Sequence, residues 1–181
     1  MRNNEPVNYE GELMKIGSEA EEVVISMFAQ VMPQVQLEDV RDLAEWQRVD
    51  VDFRAHFPDG KIINLEVKSD QHITSKGNFV FELARITHEA EDCALLGWSV
   101  FSEAQRVLIW CPPSKILYVF HMTDYRKAMQ RYTQEKRQEM RLSIITTDRA
   151  RTTINILVPI KDVPYTMYTC PTGEWITVKN P

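Results

Sequence analysis

The sequence predicts a mixed α/β (α+β) domain, one β-sheet flanked by helices. Three features point there: apolar residues at helical spacing near the N-terminus, several short alternating segments in the middle, and a second helical stretch followed by more short strands. With 181 residues, 44% hydrophobic and 26% charged, the expectation is one domain spanning residues 1–181. A chain of this size buries about 70% of its unfolded surface, enough to build a core without disulfides or structural metal.

Ile16, Ala20, Val23, Val24, Met27 and Val31 recur at helical spacing, so Glu12–Val31 reads as an amphipathic helix ended by Met32-Pro33. Val35–Ala44 is acidic and weakly patterned, a loop or short helix. Across Gln47–Phe57, Val49, Val51, Phe53, Ala55 and Phe57 alternate with Asp50, Asp52, Arg54 and His56, the pattern of a half-buried strand. Pro58-Asp59-Gly60 is a turn, and Lys61–Lys68 is a second strand. Ser69–Gly77 reads as loop, Asn78–Arg85 as strand, Gly97-Trp98 as a connection. Arg106–Cys111 and Lys115–Met122 are strands joined through Pro112-Pro113-Ser114. Thr123-Asp124 caps a helix over about Tyr125–Met140, and short strands follow near Thr153–Val158 and Trp175–Val178.

Composition excludes several classes. No apolar run approaches a membrane span, and the first twenty residues lack the apolar stretch of a signal peptide. Three widely spaced cysteines (Cys93, Cys111, Cys170), no CxxC and scattered histidines (His56, His72, His88, His121) argue against structural zinc or a disulfide framework. A reducing, cytoplasmic setting fits. The net charge is −5, yet Arg126–Arg151 carries eight Lys or Arg against Glu135, Glu139 and Asp148, a local excess of +5. Such asymmetry reads either as a polyanion-facing patch or as a solvated helix face with internal ion pairs.

The hairpin concentrates the chemistry. Its apolar residues occupy odd positions on both strands, so a shared core requires the three-residue loop Pro58–Gly60, with Phe57 paired to Lys61. Asp52 then faces Glu66, Asp50 faces Lys68, and all four share one polar face, with opposite Cβ atoms about 5 Å apart. Two carboxylates that close need a counter-charge, which a divalent cation supplies. Lys68 is placed to orient or deprotonate a cation-bound water. The competing explanation is a solvated set of cross-strand ion pairs, Asp50 with Lys68 and Glu66 near Arg54.

Gly17-x-x-x-Glu21 on the first helix, an Asp on the first hairpin strand and Glu66-Val67-Lys68 on the second resemble the PD-(D/E)XK nuclease superfamily. The run LEVKSD, a polar loop, GNFVFEL and then GW resembles a phage and bacterial branch with an E-x-K-x-D strand before a G-N-x-x-x-E strand. The resemblance spans Gly17 to Met122, echoed by Leu157-Val158-Pro159-Ile160. No Pro-Asp dipeptide marks the first acid, which leaves Asp50 beside Asp52 as an alternative.

The resemblance implies a restriction-endonuclease-like core and a Mg²⁺- or Mn²⁺-dependent nuclease acting on nucleic acid, DNA favoured. Asp52 and Glu66 would bind the metal, Lys68 would handle the attacking water, and Glu21 and Glu82 would be further acids of the site, Glu21 as a metal ligand. Ser18-x-x-Glu21 also reads as a helix capping box, and Glu82 also as an exposed strand residue. Asp70 and Asn78 would shape the rim. Arg131, Arg137 and Arg141 would contact substrate phosphates, and partners or a homodimer would help choose the cleavage site. The alternative function is an inactive nuclease-fold module that binds nucleic acid or protein.

Overall fold

The computed structural model describes residues 9–87, 93–147 and 151–178; His88, Asp148 and Arg149 lie outside them. Helix α1 runs Tyr9–Val31 and buries Ala20, Val24, Met27 and Phe28 at helical spacing. Pro33 follows it, unable to donate the N–H that further turns would need. Ser18 and Glu21 both lie well inside α1, so the pair does not cap its N-terminus. The segment expected as loop or short helix contains strand β1, Gln36–Asp39, and the short helix α2, Ala44–Gln47.

The hairpin consists of β2, Phe53–His56, and β3, Ile62–Ser69. Phe53 pairs with Leu65 and Ala55 with Ile63, and the Phe57 N–H donates to the Lys61 carbonyl at 2.8 Å. The three-residue turn and its register are those the alternation requires. The first strand, however, begins at Phe53 rather than Gln47. Asp50 takes φ 55°, and the N–H groups of Val49 and Val51 both return to the Trp46 carbonyl, at 3.2 and 3.1 Å. A left-handed residue inside a tight turn cannot lie in a strand, so the apparent alternation of Val49 and Val51 is a coil pattern.

Beyond the hairpin come α3, Ile73–Lys76, β4, Asn78–Thr87, β5, Cys93–Leu96, and α4, Trp98–Phe101. Then follow β6, Arg106–Cys111, β7, Ile116–His121, and α5, Met122–Gln134. The chain closes with β8, Arg141–Thr147, β9, Arg151–Pro159, β10, Thr166–Thr169, and β11, Ile176–Val178. Helix α3 lies in the stretch expected as loop, and α4 replaces the expected connection at Gly97-Trp98. Helix α5 starts three residues before the expected Tyr125 and ends six before the expected Met140. His121, not Thr123 or Asp124, is its N-cap.

The strands form two sheets rather than one. A seven-stranded mixed sheet has the order β1-β2-β3-β6-β7-β10-β11, and a four-stranded sheet has the order β5-β4-β9-β8. In the larger sheet β3 and β6 run parallel, and the other pairs are antiparallel. One face of it packs on α1 through Phe53, Ala55, Leu65 and Leu108. The opposite face sends Val107, Ile109 and Phe120 against Phe79, Phe81 and Ile156 of the smaller sheet and Tyr125 and Tyr132 of α5. Phe81 stacks on Tyr125 with ring centroids 3.6 Å apart, and Trp98 on Tyr125 at 5.5 Å. The mixed sheet with helices on its faces is the α+β class expected from the sequence.

Gly97 is where α4 crosses β4: a Cβ built there would lie 2.1 Å from the Glu82 carbonyl oxygen and 2.4 Å from its carbon. Gly17, by contrast, has nothing within 4 Å of an added Cβ. Gly97→Ala is therefore expected to destabilise the protein by about 1–3 kcal/mol, as overpacking does. Gly17→Ala in mid-helix is expected to stabilise it by roughly 0.5–1 kcal/mol. Urea denaturation of the two variants checks both signs.

Candidate active site

The acids and the lysine of the hairpin come together behind β3, on the face turned away from α1. Glu66 is 1% exposed, a carboxylate set into an apolar layer that includes Val107, which pairs with it on the neighbouring β6. Its Oε1 touches the Lys68 ammonium, while its Oε2 has no hydrogen-bond partner among the described residues. Lys68 Nζ also lies 3.6 Å from Asp50 Oδ2, a second buried oxygen without a hydrogen bond. Asp52 is held differently: its Oδ2 accepts the Val67 N–H at 2.7 Å, so the backbone of β3 fixes it beside Glu66. The Asp52 N–H donates to the Leu65 carbonyl at 2.9 Å, which extends the hairpin ladder by one rung to carry that side chain.

Electrostatics follow from this packing. Burial pushes the Glu66 carboxyl well above the ordinary carboxylate range; Lys68 pulls it down, and Asp52 and Asp50 add to the upward push. Asp52 is raised too, chiefly by burial, with Lys68 and the Val67 N–H opposing and the charges of Glu21 and Asp50 adding. Burial alone would lower Lys68, but the carboxylates of Glu66, Asp50 and Asp52 more than offset it and hold the ammonium above its usual range. Lys68 is thus protonated at neutral pH, suited to donate and orient rather than to accept a proton. Trp98 adds a further hold, with Lys68 Nζ 5.3 Å from the centre of its ring.

Of the cross-strand ion-pair alternative, the Asp50–Lys68 pair is present at 3.6 Å between partly exposed side chains, whereas the Glu66–Arg54 proximity is not. Arg54 binds Glu38 at 2.9 Å and stacks over Trp46, leaving Glu66 to Lys68. Glu21 is held by Arg41, which also grips Asp39; its charge reaches Asp52. Glu82 points away from Phe79 and Phe81, as its place on the strand requires, and pairs with Arg85 at 3.0 Å in the smaller sheet. No contact joins it to Asp52, Glu66 or Lys68 among the described residues. Asp70 closes a turn by accepting the His72 N–H at 2.8 Å, and the Asn78 amide donates to the Lys76 carbonyl at 2.8 Å.

Among the described residues no three or more His, Cys, Asp or Glu side chains meet in a metal-holding arrangement. The chain offers a carboxylate pair, Asp52 and Glu66, with orphaned anionic oxygens beside it. Those oxygens fit a hard cation: Mg²⁺ is bound through one or two carboxylates, with water and phosphate oxygens filling the rest. Trp98 and Arg41 are the site residues that sequence reasoning did not single out. The Gly97-Trp98 dipeptide was visible, but only the fold brings it over Lys68.

The basic segment divides. Arg126 turns inward, donating to the Ser99 and Ser102 carbonyls at 3.0 and 2.6 Å and clamping α4. Lys127 lies 3.7 Å from Asp124 and Lys136 3.1 Å from Glu139. Arg131 is exposed and 3.9 Å from Asp162. Arg137 is exposed in the turn after α5, with its Nε on the Thr133 carbonyl. Arg141 opens β8 instead of continuing the helix. Of the cysteines, Cys111 is fully buried and Cys170 half-buried, both free. No helix among the described residues is long and apolar enough to cross a membrane.

A scan against protein-family models and a search of curated proteins found no match. Among solved structures the chain is similar to the bacterial homing endonuclease I-Ssp6803I, with 17% identity over 60% of this chain and 68% of that one, at a TM-score of 0.44.

A carboxyl whose folded-state pKa is raised stabilises the protein fully below its unfolded value and loses that contribution as pH rises through the folded one. Glu66→Gln removes that penalty. Its stability relative to the parent is expected to grow as pH rises above the ordinary carboxylate range without divalent cations, and to shrink when millimolar Mg²⁺ compensates the parent alone. Thermal melts of both proteins at rising pH provide the check.

Proposed function

We propose that this chain is a metal-dependent nuclease hydrolysing phosphodiester bonds in nucleic acid, DNA being the favoured substrate and Mg²⁺ or Mn²⁺ the cofactor. One observation carries the reading: the Glu66 carboxylate is buried with an oxygen lacking a hydrogen bond, beside Asp52 and Lys68. Replacing a buried ion pair by apolar residues is often neutral or stabilising, so stability gives such a group no reason to be there. A cation-binding role does.

Asp52 and Glu66 hold the cation, with Asp52 kept in place by the Val67 N–H. Bound there, the cation would neutralise charge growing on the scissile phosphate. Lys68, kept protonated by its carboxylate neighbours, orients the attacking water and adds positive charge where the pentacovalent transition state is most anionic. Trp98 and Asp50 restrict where that ammonium can sit. Glu21 joins the site only by giving up its pairing with Arg41, and Glu82 is an outer acid. Arg131, Arg137 and Arg141 take phosphates away from the chemistry.

Lys68→Ala is expected to lower the cleavage rate by about 10²–10³ while metal affinity is unchanged or improved, since a nearby positive charge opposes cation binding. Lys68→Arg should not restore the rate, because a planar guanidinium does not replace a compact ammonium. Calorimetric titration with Mg²⁺ or Mn²⁺, run beside a cleavage assay on plasmid and linear DNA, tests both. An absence of cation binding in the parent, or a Lys68→Ala protein that cuts at the parent rate, overturns the assignment.

Neutralising Arg131, Arg137 and Arg141 together is expected to weaken DNA binding and flatten its salt dependence. Each lost phosphate contact removes about 0.9 from the slope of log K against log salt. Fluorescence anisotropy at several salt concentrations measures it.

A further inference from the structure

Lys68 and the carboxylate pair beside it are supported from different parts of the fold. Asp52 and Glu66 depend on β3: Glu66 is a residue of that strand, and the Val67 N–H holds Asp52. The Lys68 ammonium has two further neighbours, Asp50 Oδ2 at 3.6 Å and the Trp98 ring at 5.3 Å. Both of these hang from residues 97–104. Trp98 is the first residue of α4. Beyond that helix, Ser102 Oγ donates to the Asp50 carbonyl at 2.9 Å and accepts the Ala104 N–H at 3.1 Å. The Glu103 N–H donates to the Val49 carbonyl at 2.9 Å. The same segment is tied to β4, where the Gly97 N–H donates to the Leu83 carbonyl and Ser99 Oγ to the Glu82 carbonyl, both at 2.8 Å.

A helix of four residues does not hold such a segment by itself, because a single turn leaves most of its carbonyls without a partner inside the helix. Arg126, near the start of α5, supplies what α4 lacks. Its Nε donates to the Ser99 carbonyl at 3.0 Å and its Nη2 to the Ser102 carbonyl at 2.6 Å. Two donors in one planar fork fix the orientation of the turn as well as its distance. Both serines are buried, and burial works against the charge of the arginine. A cation drawn inward against that cost to meet neutral carbonyls points to geometry as its contribution. The preceding residue, Tyr125, stacks on the indole of Trp98 with ring centroids 5.5 Å apart, so two consecutive residues of α5 place that ring.

We propose that Arg126 is a positioning residue for Lys68, acting through α4, so that the ammonium and the carboxylate pair are held by separate supports. Releasing Arg126 frees Trp98 and the Asp50 turn together and leaves Asp52 and Glu66 on β3. The catalytic consequence rests on the nuclease reading; the placement of the ammonium does not.

The placement is read by NMR in the metal-free protein. The ring current of Trp98 should displace the ε-methylene signal of Lys68 from the ordinary lysine position, and Lys68→Ala identifies that signal by removing it. Arg126→Gln should return it toward the ordinary position, and Arg126→Lys, whose compact ammonium does not match the fork, should give an intermediate shift. The signal of Lys136, whose Nζ lies 5.3 Å from the centre of the Tyr132 ring, should stay where it is, which separates local release from general loosening. With Mg²⁺ and saturating DNA, Arg126→Gln should lower kcat by about 10- to 100-fold and leave KM and calorimetric Mg²⁺ affinity at the parent's values. In the Lys68→Ala background it should cost nothing further, since residues acting through one group are not additive. Where circular dichroism shows Arg126→Gln unfolded, Arg126→Lys carries the same comparisons. A parent Lys68 signal at the ordinary position, or one that both Arg126 variants leave unmoved, overturns the proposal. So does a loss of Mg²⁺ affinity equal to the loss of kcat, or a rate loss undiminished in the Lys68→Ala background. A parent that neither binds Mg²⁺ nor cuts DNA defeats the nuclease reading, and the NMR comparison then decides this proposal by itself.

Discussion

The Glu66 carboxylate sets the terms for the rest of the structure. It sits on the strand that lies between two cores, one against α1 and one against the smaller sheet and α5, and is itself 1% exposed. A charge in that position has to be answered within the fold. Lys68, two residues on and on the same face, answers it directly, and Trp98 closes over the ammonium. Asp52 and Asp50 make the local balance negative, since one ammonium faces three carboxylates. The chain tolerates that excess with backbone support, the Val67 N–H on Asp52, rather than with a second cationic side chain. Arg54, the nearest cation on the hairpin, is turned to Glu38 on β1 instead.

The hairpin and its register were legible because both constraints on them are local. Period-two alternation fixes which residues share a face, and Pro58-Asp59-Gly60 fixes the loop length, so Phe53 had to meet Leu65. The convergence of Asp52, Glu66 and Lys68 follows from those two facts, while Asp50 reaches Lys68 from the turn before the strand. What could not be read was where alternation stops being a strand. Val49 and Val51 continue the pattern in sequence, but the left-handed Asp50 between them folds the backbone into a turn. That conformation carries no compositional mark when the residue is Asp rather than Gly.

The smaller sheet was invisible for another reason. Its central pair joins β4 to β9, some seventy residues away in sequence, and no local signal announces such a pairing. The stretch Asn78–Arg85 was recognisable as a strand, but not as one that leaves the main sheet. A bulge between Glu82 and Ala84 hid the rest: apolar residues switch from odd positions (Phe79, Phe81) to even ones (Ala84, Ile86), which reads in sequence as a broken pattern. The end of α5 was lost in the same way. Glu135 to Met140 is helix-compatible in composition, yet the chain turns there because β8 has to return to the edge of that sheet.

The basic segment shows why charge counted along a chain is a poor guide to charge presented by a surface. The +5 excess is a count along the sequence from Arg126 to Arg151. In the fold it is divided among a helix, a turn and two strands, and its first member is spent inside: Arg126 satisfies two carbonyls of the α4 turn that carries Trp98. Because Trp98 lies against Lys68, that arginine belongs to the support of the buried site rather than to a phosphate-facing surface. Lys127 and Lys136 are drawn toward acids of their own segment. Among the cations left exposed, Arg131, Arg137 and Arg141 lie at or beyond the C-terminal end of α5, while Tyr125, near its start, packs against Trp98. Any polyanion that met both the buried carboxylates and these arginines would have to run along that helix toward its C-terminal end.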